Sequence, residues 1–194
     1  MERCVRCREG DDSPLLMVRA AALHTHPLRP AIHEFKYENR IELADLLARY
    51  LVAAHAHREW HALPVPIGGV SPVPLHAERL ASRGYNQSEL LASAFCRFTG
   101  LTLRSEWIQR QRDTRPQVGL KANERRANVM DAFLATADLR GQAILLIDDV
   151  FTTGATLTAC AAAAHDAGAA AVYALTLAMP VGGNPSSNDD VVDV

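Results

Sequence analysis

The chain has 194 residues, 48% of them hydrophobic and 22% charged, with a formal net charge of −2. That is the make-up of one ordinary globular domain with at most a small appendage, and it excludes a chain-wide attraction to nucleic acid. No apolar stretch is long enough to cross a membrane, and Arg19 interrupts the partly apolar residues 14 to 23 with no clear cleavage site after them, so neither membrane insertion nor a signal peptide is expected.

In chain order, residues 1 to 13 are polar and carry Cys4-Val-Arg-Cys7. The other two cysteines, Cys96 and Cys160, are isolated, a pattern that suits a reducing cytoplasm better than a disulfide scaffold. Helices are predicted over 28 to 37 and 41 to 57. In the second, Leu43, Leu46, Leu47, Tyr50, Leu51 and Ala54 fall on one stripe. A Pro-rich segment follows, with Pro-Val-Pro at 64 to 66 and again at 72 to 74 around Gly68 and Gly69. It reads as strand and loop, because Pro is not tolerated inside a helix. Residues 86 to 98 form the next predicted helix. Asn86 and Glu89 resemble a capping box, Leu90, Leu91, Ala94, Phe95 and Phe98 make its buried face, and Gly100 ends it. A strand over 101 to 108, a basic stretch and a short helix near 122 to 130 come next. Gly141 then turns the chain into a strand at 143 to 147. An Ala-rich helix over 156 to 166, a stop at Gly168 and a strand at 171 to 177 complete the pattern. The Pro, Gly, Ser, Asn and Asp that follow predict a disordered tail over 181 to 194. Strands alternating with helices imply an α/β fold with a mostly parallel sheet flanked by helices, and ligands of such sheets bind beyond the carboxyl ends of the strands.

Three constellations carry the chemistry. In Ile144-Leu-Leu-Ile147-Asp148-Asp149-Val150-Phe151-Thr152-Thr153-Gly154-Ala155-Thr156, an apolar strand runs into two carboxylates and then a Gly-centred, hydroxyl-rich loop where a helix begins. Neither the Walker pattern nor G-x-G-x-x-G is present, so the loop reads as a cradle for one phosphate, held by backbone N–H groups and hydroxyls. The acids can accept hydrogen bonds from ribose hydroxyls or help hold a divalent metal. Neighbouring strand residues point to opposite faces, so both acids are expected to face one ligand only if the strand ends there and the chain turns. The structural alternative, a corner capped by Asp and Thr, is common for a lone acid pair. Second, Ser71 to Gln87 pairs a loop stiffened by Pro72 and Pro74 with Arg79, Arg83, Asn86 and Gln87, where Arg suits forked contacts with phosphate oxygens. Third, in residues 110 to 126, six basic residues (Arg110, Arg112, Arg115, Lys121, Arg125, Arg126) against Asp113 and Glu124 leave a local charge of +4. This stretch suits a mobile lid over a pyrophosphate, a track for a nucleic acid backbone, or a solvated charged loop.

The first constellation resembles the phosphoribosyl diphosphate (PRPP) signature of type I phosphoribosyltransferases. With Pro-Val-Pro-Leu-His-x-x-Arg-Leu-x-x-Arg-Gly-Tyr-Asn-Gln from 72 to 87, Thr-Arg-Pro-Gln from 114 to 117 and Ile32-His-Glu-Phe-Lys-Tyr37, nearly the whole chain except the tail is similar to the ComF family. The resemblance implies a twisted, mostly parallel type I phosphoribosyltransferase-like sheet over 28 to 180. It implies that Asp148 and Asp149 serve as catalytic-site acids on the ribose hydroxyls, and that Thr152, Thr153, Gly154, Ala155 and Thr156 hold the 5′-phosphate. The loop Val73, Pro74, Leu75 and His76 would lie where pyrophosphate binds, with Arg79, Arg83, Asn86 and Gln87 near it. Thr114, Arg115, Gln117 and Arg125 would belong to a flexible hood. Magnesium would arrive on the pyrophosphate.

Members of this family carry a zinc ribbon before that domain. Residues 1 to 27 keep one knuckle, Cys4 and Cys7, where a structural zinc takes four ligands, and His24 and His26 lack the usual spacing. The expectation is a partial zinc site, a short remnant of the ribbon whose other knuckle lies upstream of a misplaced start or has been lost. Three functions stay open: a phosphoribosyltransferase (glycosyltransferase class) of unknown acceptor, a DNA-uptake factor that handles single-stranded DNA with the competence machinery, and a PRPP-sensing regulator. The sequence carries no signal for an oligomeric state.

Overall fold

The structure, a computed structural model, describes residues 13–111 and 132–181. The predicted helix near 122 to 130, the cysteine knuckle and the tail beyond 181 lie outside them.

The first element is a strand, β1 (Met17–Leu23). It pairs in parallel with the last strand of the chain, Met17 opposite Tyr173 and Leu23 opposite Met179. The sheet therefore begins ahead of the expected boundary at residue 28. Its backbone N–H and C=O groups find their partners at the far end of the sequence, which a local pattern does not report. Helix α1 (Leu28–Tyr37) buries Leu28, Ile32 and Phe35, the i, i+4, i+7 spacing of an amphipathic helix. Helix α2 (Leu43–His55) buries Ala44, Leu47, Ala48 and Leu51, whereas Leu46 and Tyr50 of the predicted stripe are exposed. The buried face is thus rotated from the expected one, because the small Ala44 and Ala48 sit against the neighbouring layer.

Strand β2 (Ile67–Pro72) carries a bulge between Ile67 and Gly69. A Cβ on Gly69 would sit 2.7 Å from the side chains of Arg104 and Trp107, so only glycine allows that approach. Helix α3 (Ala77–Arg83) starts at His76, whose Nδ1 accepts from the Glu78 N–H at 3.2 Å, and stops at Gly84. Helix α4 (Gln87–Thr99) is capped by Asn86, whose side chain accepts from the Ser88 N–H at 3.1 Å, and ends at Gly100, as predicted. Leu91, Ala94 and Phe95 are buried, but Phe98 is exposed.

The predicted strand 101 to 108 shrinks to a single bridge between Leu103 and Val70. There the chain crosses the edge of β2, with the Val70 N–H donating to Thr102 O and the Arg104 N–H to Val70 O. It then leaves to form β3 (Ile108–Arg110), which pairs antiparallel with β4 (Phe133–Ala135) in a separate two-stranded sheet. Strand β5 (Ala143–Val150), helix α5 (Ala155–Asp166) and strand β6 (Ala171–Met179) follow. The main sheet has the order β1-β6-β5-β2, and every pairing in it is parallel.

Parallel sheets are covered on both faces, and side chains alternate between them. Leu145, Ile147, Tyr173 and Leu175 pack in one core with Phe35, Leu47, Leu51, Leu91 and Phe95. Ile144, Leu146, Val172 and Ala174 pack in the other with Leu157, Cys160, Ala164, Ile108 and Phe133. Each fully buried Leu or Ile contributes about 1.5–3 kcal/mol. No helix among the described residues is long and apolar enough to cross a membrane.

Candidate functional site

Strand β5 does not end before the acids. The strand continues through them, Asp148 opposite Thr176 and Val150 opposite Ala178. The expectation that the chain must turn at the acids is therefore corrected. They remain on successive, opposite-pointing positions, yet both line one cleft of about 180 Å³ at the carboxyl end of the sheet.

Each acid has its own partner. The Lys36 ammonium, from the last turn of α1, lies 2.9 Å from Asp149 Oδ1, with the two side chains 20% and 7% exposed. Ser88 Oγ, from the first turn of α4, donates to Asp148 Oδ1 at 2.9 Å, and the Asp149 backbone N–H donates to the same oxygen at 2.9 Å. Asp149 Oδ2 is buried with no hydrogen-bond partner among the described residues. A buried acceptor left so is costly, and at a cleft it marks a place for a donor from a ligand.

The predicted pyrophosphate loop lines the same cleft through Val73, Pro74, Leu75 and His76. So do Arg79 and Arg83 from α3 and Gln87 from α4. Arg83 is held in place, its guanidinium 5.2 Å from the centre of the Tyr37 ring and hydrogen-bonded to the Gln87 amide oxygen. Asn86 does not line this cleft. Its Nδ2 donates to Val73 O at 3.1 Å, which ties the loop to the start of α4. Asn86 instead borders a second, larger hollow of about 570 Å³ that shares Pro74, Leu75 and Arg110 with the first.

Of the phosphate loop, Thr156 lines the cleft, while Thr152 and Thr153 are exposed and Gly154 and Ala155 are half-buried beside it. Gly154 has φ +75°, and a Cβ there would lie 2.9 Å from the Phe151 ring. Thr114, Arg115, Gln117, Arg125, Cys4 and Cys7 lie outside the described residues.

Reasoning from sequence missed Lys36 and Ser88 as site residues. Lys36 lies within the Ile32-to-Tyr37 motif, and a Lys directly after the buried Phe35 is the signal available there. Ser88 follows a helix cap and carries no signal of its own. Arg110, read as one charge of the basic stretch, lines the cleft from β3.

The charges act on one another. Burial first, and then the neighbouring Asp149 carboxylate, push the Asp148 carboxyl up to about 7, against the Ser88 hydrogen bond, which favours the ionised form. Burial pulls the Lys36 ammonium down, but the attraction and hydrogen bond of Asp149 outweigh it and hold Lys36 above its ordinary value. Burial, with Lys36 and Arg29 nearby, lowers His24, which follows β1.

No group of three or more His, Cys, Asp or Glu able to hold a metal occurs among the described residues. The two carboxylates fit a magnesium ion that arrives with phosphate oxygens, which needs only one or two protein ligands, and they do not make a cage by themselves.

This is an α/β protein with a mixed-charge cleft at the carboxyl ends of parallel strands. No protein-family model matches the chain. It is 36% identical over 170 residues to the DNA utilization protein YhgH of Escherichia coli K12, covering 87% of this chain and 74% of that protein. It is 32% identical over 160 residues to competence protein F of Haemophilus influenzae, covering 80% and 69%, and 33% identical over 171 residues to competence protein ComFC of Streptococcus pneumoniae, covering 88% and 70%. The chain belongs to the ComF family. Among solved structures, a hypoxanthine phosphoribosyltransferase of Trypanosoma cruzi aligns over 78% of this chain and 72% of its own, at 15% identity and a TM-score of 0.47.

Proposed function

We propose that the cleft at the end of β5 binds PRPP or a related ribose phosphate, with magnesium carried on its phosphates. One observation carries this reading: two adjacent carboxylates, each held by its own partner, share a cleft with Thr156 of the hydroxyl loop and with Arg79 and Arg83.

The chemistry follows from the donor set. Ionised carboxylates are acceptors only, and ribose hydroxyls are donors that match them. A 5′-phosphate fits the first turn of α5, where backbone N–H groups and Thr156 lie. Arg79 and Arg83, which line the cleft with the loop from Val73 to His76, offset the charge of a pyrophosphate. Phosphoribosyl transfer passes through a positively charged sugar and needs no protein nucleophile. The residues of this cleft then bind and orient the sugar, spread the leaving-group charge and exclude water. Magnesium, when bound, supplies further neutralisation of the pyrophosphate.

Calorimetry with PRPP and magnesium tests this. Wild type should release heat, and Asp148→Asn/Asp149→Asn should bind at least about tenfold more weakly, the loss of one to two hydrogen bonds to charged acceptors. No heat from the intact protein sinks the reading. Pyrophosphate release that depends on an added acceptor, which takes the phosphoribosyl group, makes the protein a transferase, and binding without release makes it a PRPP sensor.

The relatives are named as a DNA utilization protein and competence proteins, which favours a second reading in DNA utilization or competence, here taken as the handling of single-stranded DNA. The +4 stretch over 110 to 126 supports it from sequence. Replacing Arg112, Arg115 and Arg125 should weaken single-stranded DNA binding and flatten its salt dependence, and an unchanged slope removes that stretch from consideration.

A further inference from the structure

We propose that Lys36 is a built-in counter-cation for the acid pair, so that Asp148 and Asp149 hold a ribose phosphate without a divalent metal. The inference rests on the reading of the two acids as the ribose-binding pair.

Two neighbouring carboxylates in a poorly solvated cleft repel each other. Such pairs ordinarily take up a proton or bind a metal between them. Here α1 delivers an ammonium to one of them, 2.9 Å from Asp149 Oδ1. The ammonium is not a wandering surface charge. Ile32 and Phe35 anchor the same helix in the core, and the Lys36 side chain is only 20% exposed. Asp149 gives Lys36 one oxygen and keeps the other, Oδ2, buried and without a hydrogen-bond partner among the described residues. The ion pair therefore neutralises the acid without using up its acceptor capacity.

The remaining charged groups of the cleft are divided in the same sense. Arg79 and Arg83 on α3 and Arg110 on β3 line it with Glu78. Arg83 is directed by Tyr37 and Gln87. These guanidiniums suit phosphate, which leaves the compact ammonium of Lys36 to the carboxylates. His24, on the segment after β1, feels Lys36 as a neighbouring positive charge. Under this assignment magnesium serves the pyrophosphate, and the sugar end of the site stands on protein charge alone.

The test is calorimetry at pH 8 with ribose 5-phosphate, which has no pyrophosphate, once in EDTA and once in magnesium. Wild type should bind with equal affinity, within about twofold, in the two buffers. Lys36→Met should lose roughly tenfold or more in EDTA, the loss expected for a charged partner of this kind, and recover part of it in magnesium as the divalent ion takes the ammonium's place. Lys36→Arg should keep metal-free binding within about threefold, since it keeps the charge. If Lys36→Met does not fold, Lys36→Gln carries the same expectation, with a thermal melt as the check on folding. Unchanged binding by Lys36→Met in EDTA overturns the inference. Wild-type binding of PRPP with magnesium alongside no binding of ribose 5-phosphate in EDTA overturns it too, and leaves the ribose-phosphate reading standing. Absence of both kinds of binding sinks that reading itself.

Discussion

Ser88 Oγ and Asp148 Oδ1 lie 2.9 Å apart, joined across 60 positions of the chain. The bond links the first turn of α4 to the end of β5. Ser88→Ala should raise the Asp148 carboxyl further above about 7, because the hydrogen bond favours its ionised form. At pH 8.5, with the carboxylate charged, the loss should cost roughly 1.5–3 kcal/mol. Urea denaturation at that pH and NMR titration of the Asp148 carboxyl measure the two effects. An unmoved titration midpoint would show that the bond does not tune the acid.

The elevated Asp148 also sets a pH dependence. Its folded-state value, about 7, lies above the ordinary 3.8, so the folded protein holds a proton that the unfolded chain releases. This contribution to stability is fully present below about pH 4 and is lost as pH rises through about 7. Asp148→Asn should flatten that segment of the stability profile and be more stable than wild type at pH 8. Denaturation midpoints taken from pH 4 to 8.5 check it, and parallel profiles for the two proteins would contradict it.

Gly154→Ala tests the loop. The position has φ +75°, and the added methyl group would lie 2.9 Å from the Phe151 ring. Left-handed backbone alone costs a non-glycine residue about 1–2 kcal/mol, and displacement of the ring adds to it. A lower melting temperature with weaker ribose 5-phosphate binding is expected. An unchanged melt would mean that the loop reaches another conformation at no cost.

Asn86 has two tasks that can be separated. It caps α4 by accepting from the Ser88 N–H, and its amide donates to Val73 O, each at 3.1 Å. Asn86→Ala should lose about 2 kcal/mol, the sum of a helix cap and one further hydrogen bond. Asn86→Asp keeps the acceptor and loses the donor, so it should recover about half of that. Chemical denaturation of the two variants gives the comparison, and equal losses would assign the whole effect to the tie with Val73.

Much of the layout was legible before the structure. The helix over 28 to 37 is local, and so are the cap at Asn86 and the stop at Gly100, because neighbouring residues decide them. β1 was not legible, since its alanines and valine have no pattern of their own and become a strand only by pairing with β6. Leu101 to Ile108 failed in the opposite sense. Its residues suit a strand, but it meets the edge of β2 at one bridge, and Ile108 at its end pairs with β4 instead. The stripe on α2 was misplaced for a related reason: periodicity reports that a face is buried, and the opposing layer selects which face.

The amino-acid order by itself determined the parallel α/β class, the two acids at a strand end and the hydroxyl loop after them, because each depends on residue type and short spacing. Only the tertiary structure decided that Asp149 meets an ammonium and Asp148 a hydroxyl. Those partners come from α1 and α4, elements packed on the sheet from distant parts of the chain, and side-chain chemistry at such separations is set by packing and not by sequence proximity.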